Sequence, residues 1–226
     1  MMIRPVLPAA DIRDEPESWP IRSHTIAARG AVSTFVDDEI ATPDGGVVRR
    51  QYLRHPGAVG IVAWDERDGR DQIVVVRQYR PAVGFRLVEP PAGLLDHDGE
   101  AYVDAARREM AEETGLAARR WQVLADVFST PGASEESVRV FLARELSEVG
   151  RPADFVLEGE EAAMDVCWAG RADLLDAIFD GRLQNPTMVI GVLALETARL
   201  TGRLDLLRTA DAPWPAREVR RARHDA

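Results

Sequence analysis

Three glutamates, Glu109, Glu112 and Glu113, fall within five residues of the stretch RREMAEETG, Arg107–Gly115. Spacings of three and four put them on one face of a helix, where like charges cost roughly 0.2–0.5 kcal/mol per pair. Such a cluster is either a solvated face or a set of oxygen ligands. Carboxylates on a rigid helix suit hard divalent cations such as Mg²⁺ and Mn²⁺, and the bound ion relieves the repulsion among its own ligands. Arg108, four residues before Glu112, is within reach of a salt bridge, and Glu100 adds a further acid upstream.

A helix from about Glu100 to Thr114 must carry these groups. Ala105, Ala106 and Met110 form its apolar stripe, and Gly115 supplies a left-handed stop. Ahead of it, VGIVAWD and QIVVVRQYR are short and rich in β-branched residues, as central strands are. FRLVEPPAG reads as a strand halted by two prolines. Residues 21–54 are strand-like, with a hairpin at Pro43-Asp44-Gly45-Gly46. Downstream, WQVLADVFST and SVRVFLARELS are strands around the loop Pro131–Glu136, and MDVCWAG is a last strand. RADLLDAIFDG and NPTMVIGVLALETARL are helices, with Asn185 as N-cap and Pro186 in the first turn. The tail from Asp211 is polar and is expected to fray. Without strict alternation of strand and helix, the pattern predicts an α/β mixed sheet packed between helices, preceded by a small antiparallel piece. The parts expected are 1–56, 57–209 and a tail at 210–226.

Composition narrows the partners. The 226 residues are 46% hydrophobic, enough for a full core, and carry a net charge of −10. That excludes nucleic acid or an anionic membrane as the main partner, and an anionic substrate would need a local reversal of sign. All 28 Lys-plus-Arg residues are arginine, which suits bidentate contacts to phosphate. The lone Cys167 lies in an apolar run and reads as a buried, inert thiol. No apolar run reaches the ~18 residues of a membrane span, and the first twenty residues lack a secretory apolar core. A cytoplasmic setting follows as an expectation.

The acidic segment resembles the Nudix hydrolase box, G-x5-E-x7-R-E-U-x-E-E-x-G-U, with U a bulky aliphatic residue. Gly93, Glu100, Arg108, Glu109, Met110, Glu112, Glu113, Gly115 and Leu116 stand at its positions. One extra residue separates Gly93 from Glu100, in LLDHDG, where a loop insertion leaves the helix register intact. The likeness spans roughly residues 45–200. RQYRPAVGFRLVEPPAGLLD and TPGASEESVRVFLA are similar to segments of the ADP-ribose pyrophosphatase branch, actinobacterial type.

That resemblance implies a Nudix α/β/α sandwich and hydrolysis of the pyrophosphate bond of ADP-ribose to AMP and ribose 5-phosphate. It implies Glu109 and Glu113 as main ligands of Mg²⁺ (or Mn²⁺), with Glu112 and the Ala92 carbonyl assisting. The ions would neutralise the diphosphate and lower the pKa of a bound water. Arg108 would orient a box glutamate. Glu136 is the first choice for the base that handles the water, with Glu135 the alternative. Arg80 and Arg54 would contact substrate. Glu89 is either a metal-shell or substrate-binding acid or a strand-end cap. Trp121 and Trp168 read as core, His97 as solvated, and the other histidines give no signal. Relatives in this branch are homodimers whose N-terminal strands pack across subunits. The alternatives are another nucleoside-diphosphate sugar or dinucleotide as substrate, or a sensor that binds ADP-ribose without turnover.

Overall fold

The computed structural model describes residues 6–67, 69–97, 99–153, 155 and 163–219. Two sheets form. The smaller is antiparallel, with order β1 (Ile21–Arg29), β2 (Thr34–Ala41), β3 (Val47–Arg54), and the Pro43–Gly46 turn joins its second hairpin. The larger has the order β10-β5-β4-β9-β8-β11, with β6 also on β5 and β7 also on β4. Its strands are β4 (Ala58–Asp65), β5 (Gln72–Arg80), β6 (Phe85–Glu89), β7 (Ala92–Leu94), β8 (Leu116–Phe128), β9 (Ser137–Glu148), β10 (Asp165–Gly170) and β11 (Arg208–Thr209). β4 and β9 run parallel while their other neighbours are antiparallel, so the sheet is mixed.

Alternation along the central strands sends side chains to two cores. Val59, Ile61 and Ala63 of β4 and Phe141 and Ala143 of β9 face α1 (Tyr102–Thr114), meeting its Ala105, Ala106 and Met110. Val62 and Trp64, with Val140 and Leu142, face the other way, toward α2 (Arg171–Phe179) and α3 (Pro186–Leu200). The result is the expected α/β/α sandwich. Gly191 lets α3 lie close on the sheet, since a Cβ there would sit 2.6 Å from Val62 Cγ2. Asn185 caps α3 by accepting a hydrogen bond from the Met188 amide at 2.9 Å. Among the described residues, no helix is long and apolar enough to cross a membrane.

Four local expectations are corrected. Helix α1 begins at Tyr102, two residues later than its sequence pattern, after Ala101 in an extended conformation. β8 begins at Leu116 rather than Trp121, immediately after the left-handed Gly115. Cys167 is exposed rather than buried, and Trp168 is 44% exposed rather than core, because β10, among the described residues, is an edge strand with a neighbour on one side only. Trp121, by contrast, is buried edge-on against Phe141.

The fourth correction concerns the tail. Trp214 and Arg217 are buried, 3% and 5% exposed, and residues 215–219 are helical. The fully buried Arg139 of β9 holds this segment down. Its guanidinium donates to both Asp126 carboxylate oxygens at 2.7 and 2.9 Å and to the carbonyls of Ala212 and Pro213. It also lies 4.8 Å from the Trp214 ring centroid, a cation–π contact, and Tyr102 meets the same indole edge-on at 5.3 Å. Residues 220–226 lie outside the described residues. Trp214→Ala is expected to lower the unfolding free energy by about 3–5 kcal/mol, whereas Arg208→Ala, at an exposed partner of Asp126, should cost under about 1 kcal/mol. Urea denaturation of the two variants checks this.

Candidate active site

Helix α1 lays its acidic face across β7. The Glu113 side chain is buried, and its Oε2 accepts a hydrogen bond from the Ala92 amide at 3.1 Å. One turn earlier, the Glu109 carboxylate lies directly over Gly93, and a Cβ at that residue would overlap its carboxyl carbon. The box glycine therefore serves close approach, since Gly93 is not among the positive-φ glycines. Both carboxylates line a cleft of about 600 Å³ together with Ala92, Gly93, Arg108 and Glu136.

Arg108 answers the repulsion among the acids. It donates to both Glu100 oxygens at 3.1 Å, to Glu109 at 2.7 Å and to Glu112 at 3.2 Å. These partners hold the guanidinium well above its usual range, and its hydrogen bonds hold the Glu100 carboxyl below the usual carboxylate range. The extra loop residue thus leaves Glu100 in reach of the helix. Burial raises the Glu109 carboxyl to about 6, against the opposing pull of Arg108. One arginine does not fully offset the negative charge that is taken out of water there. Arg151 secures the far end of the helix by donating to the carbonyls of Glu112 and Glu113 at 3.1 and 2.7 Å.

The donor set decides which cation suits the cleft. Among the described residues, no three His, Cys, Asp or Glu side chains are drawn together as a ready-made metal cluster. Glu112 is turned onto Arg108 and is not part of the cleft wall. What the cleft offers is oxygen: the buried Glu113 carboxylate, the half-buried Glu109 carboxylate and the β7 backbone, beside a glycine with no side chain to obstruct them. Such a set fits a hard divalent cation, which would compensate Glu109 where Arg108 does not.

The remaining sequence candidates separate into two groups. Glu136 faces the cleft. Glu135 lines a neighbouring cavity of about 690 Å³, beside Arg54 and Tyr52. Adjacent residues of an extended segment point to opposite sides, and Leu53 of β3 fixes that segment by bonding backbone to backbone with Ala133 and Glu135, both at 3.0 Å. Arg54 is therefore not brought to the acids. Arg80 lies at the cleft with its guanidinium bidentate on Glu89, whose buried carboxylate accepts at 2.6 to 3.2 Å. Glu89 orients Arg80. Sequence reasoning missed His55, whose ring enters the cleft with Nδ1 3.5 Å from Glu136 Oε1. Its only local cue was the following Pro-Gly, a turn signal.

A glutamate-bearing helix packed over a glycine of a mixed α/β/α sheet defines a diphosphate-bond hydrolase of the Nudix type, and the NUDIX domain matches residues 54–188, so the chain belongs to the Nudix hydrolase family. It is 42% identical over 185 residues to an ADP-ribose pyrophosphatase of Mycobacterium tuberculosis, covering 82% of this chain and 86% of that protein. An ADP-ribose pyrophosphatase of Bacillus subtilis is 34% identical over 131 residues, 58% of this chain and 68% of that one. A solved structure described as an ADP compounds hydrolase aligns with TM-score 0.65 at 20% identity, covering 85% of this chain and all of that one, which supports the fold. Nudix ADP-ribose pyrophosphatases as a group depend on divalent metal ions.

Gly93→Ala tests the close approach. A methyl group there displaces Glu109 by about an ångström, a misplacement worth about 100-fold in rate. Steady-state kinetics should show that loss while circular dichroism stays unchanged.

Proposed function

We propose that this protein hydrolyses the pyrophosphate bond of ADP-ribose to AMP and ribose 5-phosphate with Mg²⁺ or Mn²⁺, acting as a cytoplasmic homodimer. The observation that carries the substrate is the 42% identity to an ADP-ribose pyrophosphatase across most of both chains. The dimer reading draws on β1, an outer strand whose nine residues are all exposed. In this reading residues 57–209 form the hydrolase domain, with the segment around Trp214 and Arg217 packed on it, and those before 57 supply the subunit contacts.

Glu109, Glu113 and the Ala92 carbonyl would hold the metal, with Glu112 assisting when it leaves Arg108. When bound, the metal supplies Lewis-acid charge stabilisation and an acidified water. Arg80, presented by Glu89 and partly exposed at 41%, offers a planar fork to phosphate oxygens. Arg54 and Glu135 would act from the neighbouring cavity. Glu136 holds the position from which a carboxylate takes a proton from water facing the cleft. Arg108 keeps Glu100, Glu109 and Glu112 in register and leaves Glu113 to the strand. Phosphoryl transfer gains most from this kind of positioning and charge placement.

The test is turnover of ADP-ribose, alongside other nucleoside-diphosphate sugars and dinucleotides, with Mg²⁺ in ¹⁸O-water. ADP-ribose should give AMP and ribose 5-phosphate with label in one product, and a chelator should stop the reaction. Tight binding without AMP release would indicate a sensor and overturn the reading. Glu113→Gln is expected to reduce turnover to background with the fold retained, as measured by product release and circular dichroism.

A further inference from the structure

Two groups outside the acidic helix meet the Glu136 carboxylate from opposite sides. The Ser129 hydroxyl donates to Oε2 at 2.5 Å, and His55 Nδ1 lies 3.5 Å from Oε1. Ser129 directly follows β8 of the large sheet, and His55 directly follows β3 of the small one. Both line the cleft that holds Glu109 and Glu113. The carboxylate is thus held by Ser129 and flanked by His55, from two separate parts of the fold.

The imidazole is itself held in place. The Gly57 amide donates to Nδ1 at 3.1 Å. Gly57 has φ +90°, and a Cβ there would overlap Arg217 and touch the Ser137 carbonyl. Buried Arg217 reaches from the tail to donate to the carbonyls of Pro56 and Leu95. The His55-Pro56-Gly57 turn is therefore fixed from behind. Because Nδ1 accepts from an amide, the neutral ring carries its proton on Nε2. It is the Nδ1 lone pair that faces Oε1, at a separation longer than a hydrogen bond.

We propose that Ser129 and His55 are positioning residues for Glu136, a proposal that rests on Glu136 being the base. Ser129 occupies Oε2, so Oε1 is the oxygen presented to the attacking water. In the transfer, a water O–H bond breaks and its proton goes to Oε1. The water oxygen bonds to phosphorus, and the bridging P–O electron pair departs with the leaving phosphate. The new Oε1–H then points at Nδ1, which shares its lone pair between that hydrogen and the Gly57 amide. The proton stays on Glu136, and His55 accepts only a hydrogen bond.

The experiment is a set of mutant cycles on the full-length protein with ADP-ribose and Mg²⁺, reading kcat and KM separately. Ser129→Ala and His55→Phe should each lower kcat by about 10-fold or more, part of the 10²–10⁴ that a positioned base supplies, with KM within about twofold. His55→Asn, whose side-chain oxygen can replace Nδ1 as acceptor, should recover most of the loss and also serves if the phenylalanine variant does not fold. In a Glu136→Gln background the same substitutions should cost nothing further. Unchanged kcat in the single variants, or the same factor lost again in the Glu136→Gln background, would overturn the proposal. Wild-type turnover in Glu136→Gln alone is a separate result, which would remove Glu136 as the base and this proposal with it.

Discussion

Taking carboxylates out of water is costly unless a positive charge accompanies them, and α1 together with the turn before it brings four glutamates close to one arginine. Arg108 divides them. Glu100 and Glu112 are spent on its guanidinium, while Glu109 touches it and also overhangs Gly93. Glu113 is fastened to the Ala92 amide. Two acids hold the arginine and two are delivered to the strand beneath. The elevated Glu109 carboxyl marks where compensation is incomplete.

Everything around the helix serves that placement. Ala105 and Ala106 are small enough to seat α1 closely on β4, and Met110 fills the remaining space. Arg151 ties down the last carbonyls of the helix, where the backbone has no partners of its own. Across the cleft, β3 reaches out of the small sheet to pair with the loop between β8 and β9. The cleft is therefore bounded by a rigid wall from the large sheet and by a loop whose register is set by the small one.

Parts of this arrangement were legible in the chain because they are local. The 3–4 spacing of the acids, the alanine stripe, the Asn185 cap and the valine-rich central strands each follow from neighbours within a few residues. What escaped depends on residues far apart in sequence. His55 and Glu136 are 81 positions apart and meet only because β3 and the loop pair. The separation of Glu135 from Glu136 needed the Leu53 contacts that fix the direction of each side chain. Cys167 and Trp168 lie in a run as apolar as a core strand, and nothing local records that β10 ends a sheet. In the tail, abundant polar residues masked two anchors, Trp214 and Arg217, whose partners come from β9, α1 and the His55-Pro56-Gly57 turn.

The bonding of Leu53 to Ala133 and Glu135 carries a thermal consequence. Strand β3 belongs to a three-stranded sheet whose outer strand is exposed along its whole length, whereas the eight-stranded sheet is clad on both faces. Local opening begins where burial is least. In a lone protomer the small sheet therefore loosens first on warming and releases the loop, so inactivation precedes the melting of the core. The temperature at which this protein stops working is thus governed by its most weakly protected strands rather than by its most stable ones.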